Sequence, residues 1–123
     1  MTFPLSRLMS TATATYGVYA LANPRHLGDV VDPKHAADYD VLATTYGARD
    51  LAISSVGLLG RSEKTVSAAM LIRIACDASD GLILAARTKD DATRQKVLGV
   101  TFGWAALNAL ALAADRRRAR RTA

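Results

Sequence analysis

Residues 66–86, VSAAMLIRIACDASDGLILAA, constrain the fold of this chain more than any other stretch. Most of the run is as apolar as a core or membrane helix, yet it contains Arg73, Asp77 and Asp80. On a helix these three residues occupy positions i, i+4 and i+7, so they lie on one face. Met70 and Leu84 extend that face at its two ends. The sequence therefore predicts a helix with a short polar stripe that faces inward.

A second run, residues 40–59, has the same character, because Tyr46, Arg49 and Asp50 interrupt an otherwise apolar helix. Charges in the middle of apolar helices are costly unless they pair with one another or with a functional partner. We therefore expect the two helices to pack so that two arginines meet three aspartates. We call these five residues the Arg/Asp cluster: Arg49, Asp50, Arg73, Asp77 and Asp80.

The apolar runs and the breaks between them predict an all-α fold in one domain, residues 1–123. The architecture that we expect is a four-helix transmembrane bundle with a short extra helix in the first loop. The predicted helices cover residues 6–22, 33–38, 40–59, 63–87 and a last stretch that opens at about residue 89.

Residues at the ends of these runs support the boundaries. Gly60 can end the helix over residues 40–59, and Ser62 can cap the next one. Thr88 and Asp91 have the spacing of a capping box for the last helix. Within that helix, Gly99 and Gly103 form a G-x-x-x-G, which would let another helix approach closely and makes a homo-oligomer a candidate.

The charge is concentrated at one end of the chain. The net charge is +5, and five of the sixteen basic residues are arginines between positions 116 and 121. The remaining charges balance, so no nucleic-acid partner is expected. Arginines that directly follow an apolar helix are typical of a stop signal or a contact with anionic lipid, which predicts a basic cytoplasmic tail at residues 116–123.

Histidine and cysteine are scarce. Cys76 is the lone cysteine and is predicted to be buried and inert, while His26 and His35 are predicted to be solvated loop residues. They do not have the spacing of metal ligands. No metal and no cofactor are therefore expected.

Two environments compete for this chain, a soluble bundle with a polar core and a membrane. Each charge of the helix over residues 63–87 would cost about 2.5–3.5 kcal/mol at the centre of a membrane span. The apolar residues of the last helix nevertheless cover nearly its whole circumference, and the remaining charges are dense between the runs. We therefore predict a multi-pass membrane protein with the lipid bilayer as a partner. With eight Lys and Arg residues on the side of both termini and six on the other, both termini are predicted to be cytoplasmic.

Several segments resemble a known family. They are Tyr16-Gly17 with Leu21 and Pro24, the run Tyr46-Gly47-Ala48-Arg49-Asp50-Leu51-Ala52, Asp77 with Asp80-Gly81, and a glycine-rich last helix. Over residues 8–112 the chain resembles the small four-helix integral membrane proteins of domain-of-unknown-function family 4267. Arg73 departs from that pattern, because members often have a longer apolar stretch there. The resemblance implies a membrane-embedded bundle and supplies no activity.

The Arg/Asp cluster allows two kinds of function. It could be structural and fix the helix register, with one carboxylate in surplus over the two arginines. It could instead catalyse acid–base chemistry without a cofactor, as a membrane-embedded hydrolase or isomerase in which an ionised aspartate works beside a neutral one. Epoxide opening, isomerisation or cyclisation of a small lipophilic substrate would suit these groups, with Tyr16, Tyr46, Trp104 and Asn108 as substrate-binding candidates. Proton-coupled transport or an accessory-subunit role are further alternatives.

Overall fold

The computed structural model describes residues 2–123, and it is all-α over that range. It contains five α-helices and one 3-10 helix: α1 (Pro4–Ala22), α2 (Arg25–Val31), the 3-10 helix (Pro33–Tyr39), α3 (Asp40–Leu59), α4 (Glu63–Arg87) and α5 (Asp91–Thr122). The predicted all-α class is thereby confirmed. The predicted bounds of α3 and α4 are also confirmed, and the short helix after Asp32 is a 3-10 helix.

The segment after Pro24 was predicted to be a loop, and this prediction is wrong. Residues Arg25–Val31 form α2, with Leu27, Gly28 and Val31 buried. A helix of seven residues shows too little periodicity to stand out, and its stability comes from packing rather than from propensity.

The N-terminus of α5 also differs from the prediction. Asp90 is its N-cap, and the Asp90 carboxylate accepts the Thr93 backbone N–H at 2.9 Å. Thr88 instead donates its hydroxyl to the Leu84 carbonyl at 2.7 Å, within the last turn of α4. The proposed capping box of Thr88 and Asp91 is therefore wrong, whereas the Ser62 cap of α4 is confirmed by a 3.1 Å bond from the Thr65 N–H.

The four long helices pack on one another, with α1 against α3 and α4 against α5 as the most extensive contacts. Helices α1 and α3 approach closely because Gly17 faces Gly47. A Cβ placed on Gly17 would lie 2.9 Å from the Gly47 carbonyl oxygen. The predicted close approach at Gly99 and Gly103 does not occur within residues 2–123, since a Cβ on either residue would meet nothing there within 4 Å.

The start of α1 and the last third of α5 lie at the same end of the molecule as the α3–α4 turn. Phe3 packs with Val66 and Leu112, which belong to the start of α4 and the last third of α5. Arg7 of α1 donates to the Gly60 carbonyl at 2.8 Å, beyond the end of α3. Asp115 of α5 accepts backbone N–H groups of the first turn of α1, where a negative charge also suits the helix dipole. Residues 116–122 continue α5 rather than leave it.

The interior contains many polar side chains, and many large apolar side chains lie on the surface. Many buried side chains are polar or charged, among them Ser6, Ser10, Thr13, Asp50, Ser54, Arg73, Asn108 and Asp115. Many large apolar side chains are exposed, among them Leu8, Val18, Val41, Leu59, Leu71, Ile72, Leu82, Ile83, Val100, Leu107 and Leu110. Cys76, which was predicted to be buried, is half-buried.

One helix within residues 2–123, α5, is long and apolar enough to cross a membrane. Its best 18-residue stretch has a mean hydropathy of 1.7, and 28% of that stretch is buried inside the molecule. A single helix of this kind is a weak indication, because the core helix of a soluble protein can have the same length and composition.

Candidate functional site

The Arg/Asp cluster lies between α3 and α4, as predicted. Arg49 binds Asp80 in a two-pronged arrangement, with Nη1 2.9 Å from Oδ1 and Nη2 2.5 Å from Oδ2. The same guanidinium reaches its neighbour Asp50, with Nη2 2.9 Å from Asp50 Oδ1. Such fork-to-fork pairs are the strongest that arginine forms with carboxylates.

Arg73 is the second cation of the cluster and the more buried one. Its Nη1 lies 2.5 Å from Asp50 Oδ1, and its Nη2 donates to Asp77 Oδ1. The Arg73 side chain is 3% exposed, compared with 27% for Arg49. The predicted pairing of two arginines with three aspartates is confirmed.

The three carboxylates differ in how fully the arginines compensate them. Asp50 is shared by both arginines through Oδ1, and Asp80 has both oxygens on Arg49. Asp77 has one oxygen on Arg73, while its Oδ2 receives only a 3.5 Å contact from the Asn108 amide. Because three acids face two guanidinium groups, Asp77 has the least cationic compensation.

Helical periodicity explains how the sequence positions the cluster. On α3 the buried positions include Ala43, Tyr46, Asp50 and Ser54, which recur every three or four residues. On α4 the predicted face of Met70, Arg73, Asp77, Asp80 and Leu84 is buried, and Val66 extends it toward the start of the helix. Two helices that bury these stripes against each other must bring their charges together.

A cavity of about 460 Å³ opens beside the cluster. Its volume falls within the range of about 300–1,000 Å³ that is usual for small-molecule pockets. Four members of the cluster line it: Asp50, Arg73, Asp77 and Asp80. The rest of the wall is mainly apolar and comes from α1, α2, α4 and α5: Ala12, Leu27, Val30, Val31, Leu84, Val97 and Val100.

The predicted substrate-binding residues divide into two groups. Tyr16, Tyr46 and Trp104 line the cavity. Asn108 does not line the cavity. Its amide nitrogen lies 3.5 Å from Asp77 Oδ2 and donates to the Trp104 carbonyl at 2.9 Å. Arg49 likewise stands outside the lining, with its guanidinium carbon 4.7 Å from the centre of the Tyr46 ring.

His26 lines the cavity, and the sequence did not indicate it. Its Nδ1 lies 2.7 Å from the Asn23 carbonyl, which can only accept, so Nδ1 carries a proton. Its Nε2 lies 2.9 Å from the Tyr16 hydroxyl. The ring also packs against Tyr19, with centroids 5.1 Å apart. The prediction of a loop position is therefore wrong for His26, because it belongs to α2, which carries its half-buried ring onto α1.

Several buried polar atoms have no hydrogen-bond partner within the described part of the chain. They are Ser6 Oγ, Tyr46 Oη, Ser54 Oγ, Arg73 Nε and Asn108 Oδ1. Buried polar groups are nearly always satisfied, by protein groups or by ordered water. Tyr46 and Arg73 are the two whose residues line the cavity.

Within residues 2–123, no group of three or more His, Cys, Asp or Glu side chains is placed to hold a metal ion. The carboxylates of the Arg/Asp cluster face guanidinium groups instead.

Comparisons with protein-family models, curated proteins and solved structures gave no match to this chain. The resemblance to domain-of-unknown-function family 4267 stays a prediction that these comparisons do not test.

Proposed function

We propose that this chain is a multi-pass integral membrane protein in which α1, α3, α4 and α5 cross the bilayer as a four-helix bundle. The exposure of many large apolar side chains around a partly polar interior supports this proposal. Exposed leucines and isoleucines are a liability in water but meet lipid tails at no cost. The four helices have 19, 20, 25 and 32 residues, and a span needs about 20.

The charges on α3 and α4 are compatible with this proposal because they face inward and are paired. Intramembrane charges nearly always face a bundle interior and pair with one another. The arginines of α5 beyond Asp115 are exposed and form no ion pair within the described residues, so they are free to contact anionic headgroups. We place that end, with both termini, in the cytoplasm.

Fractionation of cells tests the membrane proposal. We expect the protein to sediment with membranes, to resist extraction by high salt and alkaline carbonate, and to require detergent. Recovery as a soluble monomer would overturn the proposal and favour a soluble bundle with a polar core.

Within this bundle, we propose that the cavity binds a small lipophilic molecule and that the cluster performs acid–base chemistry on it. The observation that carries this proposal is the cavity itself, which joins an apolar wall to three carboxylates. A cluster that served only to hold helices together would not need to border an open space of this size. The cavity is also within reach of lipid-dissolved molecules, because Val30 and Val100 on its wall are 43% and 65% exposed.

The contacts assign different roles to two aspartates. Asp77 has the least cationic compensation and is our candidate for the proton donor. Asp50 is bound by both arginines through Oδ1, and its Oδ2 accepts no hydrogen bond from residues 2–123, so Oδ2 is free to accept a proton. Asp80 has both oxygens on Arg49 and would position that arginine.

Epoxide opening illustrates how these roles combine. Asp77 would give its proton to the epoxide oxygen as the C–O bond breaks. A water molecule would attack the carbon and lose its proton to Asp50 Oδ2, and transfer of that proton to Asp77 would restore the site. Isomerisation or cyclisation would use the same donor and acceptor without water.

Bound molecules provide the first test of the cavity. Protein purified in detergent would be extracted with solvent and analysed by mass spectrometry for lipophilic compounds other than phospholipid. Val100→Trp provides the control, because Val100 is exposed and lines the cavity, so the larger ring should fill it without disturbing the core. We expect a compound that is retained by the wild type and absent from the variant. Equal extracts, together with no response of Trp104 fluorescence to added lipophilic compounds, would overturn the proposal.

A structural role is the second candidate, because each of the three carboxylates is hydrogen-bonded to an arginine. Asp77→Asn separates the two, since it keeps the shape of the side chain and removes the transferable proton. If the cluster is catalytic, the variant should fold and lose turnover of the identified substrate by roughly 10²–10⁴-fold. Full turnover in Asp77→Asn and in Asp80→Asn would leave the structural role.

A further inference from the structure

Two residues that line the cavity each carry a buried hydrogen-bond donor that has no partner within residues 2–123. Arg73 Nε–H can only donate, and the Tyr46 hydroxyl can donate or accept. Both residues neighbour Asp50. Arg73 binds Asp50 through Nη1, and Tyr46 lies one helical turn before Asp50 on α3. Two buried donors without an acceptor are costly unless a guest molecule supplies one.

The other tyrosine of the cavity differs in this respect. The Tyr16 hydroxyl is engaged by His26 Nε2 at 2.9 Å, whereas Tyr46 Oη has no partner within residues 2–123. Both tyrosine rings line the same cavity. The hydroxyl that remains for a ligand is therefore the one next to the Arg/Asp cluster.

We infer that the ligand carries an oxygen that only needs to accept hydrogen bonds, such as that of a ketone, an ether or an epoxide, and that Tyr46 Oη and Arg73 Nε bind it. The hydrocarbon part of the ligand would lie against Leu27, Val31 and Val97. This inference rests on the proposed function, namely that the cavity takes a lipophilic molecule, and adds the chemical class of that molecule. A pure hydrocarbon of the same shape leaves both donors unpaired, and sites built to bond a polar group reject analogues that lack it.

A matched pair of probes tests the inference. Menthone and p-menthane share one carbon skeleton and differ by a carbonyl oxygen. Trp104 is the only tryptophan of the chain and lines the cavity, so its fluorescence in detergent micelles reports binding directly. Concentrations would be corrected for partition of each probe into the micelles. We expect menthone to bind about tenfold more tightly than p-menthane, because it satisfies donors that the hydrocarbon leaves unpaired.

Two phenylalanine variants locate the preference. Tyr46→Phe removes the free hydroxyl and should reduce the ratio to about threefold or less, with p-menthane affinity unchanged. Tyr19→Phe makes the same chemical change on a half-exposed residue outside the cavity lining and should keep the ratio. Unchanged p-menthane affinity also shows that the Tyr46 variant is folded. If that variant does not fold, the ratio of menthone to p-menthane affinity in the wild type decides whether the cavity binds the ligand oxygen.

The outcomes separate this inference from the proposed function. Equal binding of the two probes to the wild type would refute the oxygen-binding role and leave a lipophilic cavity. Loss of the preference in Tyr19→Phe as well as in Tyr46→Phe would also refute it. Failure of both probes to bind would refute the proposed function, namely that the cavity takes a lipophilic molecule.

Discussion

Replacing Arg73 by methionine offers the sharpest test of how the interior of this protein is held together. Arg73 binds two aspartates, and its side chain is 3% exposed. Without it, Asp50 keeps Arg49 as a partner, whereas Asp77 keeps only the 3.5 Å contact from Asn108. Methionine has a similar length and no charge, so the substitution removes the ion pairs with little change in packing.

The magnitude follows from the burial of the pair. Removing one partner of a buried ion pair costs about 3–5 kcal/mol if the remaining group stays charged. Asp77 borders the cavity and can take up a proton once Arg73 is gone, so this range is an upper limit. At about 4 °C per kcal/mol for a chain of this size, the unfolding midpoint should fall by up to roughly 20 °C.

A second substitution tests the origin of the loss. In Arg73→Met with Asp77→Leu, both charges are gone and the interior is apolar at that point, so most of the lost stability should return. Arg25→Leu serves as the control, because it breaks a two-pronged pair with Asp40 whose side chains are 51% and 31% exposed, and it should change little.

Thermal unfolding in detergent, followed by circular dichroism, measures all four proteins. If Arg73→Met unfolds at the wild-type temperature, the guanidinium is not compensating a buried charge. If the double variant is as unstable as the single one, the loss comes from altered packing rather than from an unpaired carboxylate. Either result would refute the electrostatic account of the cluster.

Three further predictions concern the packing and the ends of the helices. Gly47→Ala should destabilise the protein by about 1–3 kcal/mol, because its Cβ would lie 2.9 Å from the Gly17 carbonyl oxygen. Gly99→Ala should instead stabilise α5 by up to about 1 kcal/mol, since nothing lies within 4 Å of the added methyl, and a loss of stability would point to a helix contact outside this chain. Hydrogen bonds from the Thr93 hydroxyl and backbone N–H hold the pKa of Asp90 below its usual value, so the stability from this cap is present above the unfolded-state pKa and is lost as the pH falls through the lower folded-state pKa. Unfolding curves from neutral to acid pH should show this loss in the wild type and less of it in Asp90→Ala.

The central part of the fold could be predicted because the pattern that carries it is local. Arg73, Asp77 and Asp80 follow the helical period within a single apolar run, so the buried face of α4 can be predicted from that run alone. The pairing with α3 followed from elimination, since the second run with mid-helix charges is the only other place that supplies compensating groups. Ser62 and Gly60 fixed the turn between these helices for similar local reasons.

Features that join distant segments could not be predicted in this way. Asp115 caps α1 over a separation of 109 residues, and nothing near Asp115 in the sequence indicates that its partner is the start of α1. The two glycine pairs show the same limit. Gly99 and Gly103 have the G-x-x-x-G spacing but face away from the other helices. Gly17 and Gly47 lie on different helices, so no motif within one helix indicates that they meet.

The sequence by itself determined that this chain is helical, where α3 and α4 begin and end, and that two arginines must meet three aspartates. Each of these conclusions depends on periodicity or on the high cost of an isolated charge, and both act along one or two helices. Only the tertiary structure decided that a cavity borders the cluster, that His26 joins its wall and that Tyr46 keeps a free hydroxyl while Tyr16 does not. A cavity is space that several helices leave unfilled, so it depends on how five segments pack together and is not encoded in the residues of any one of them.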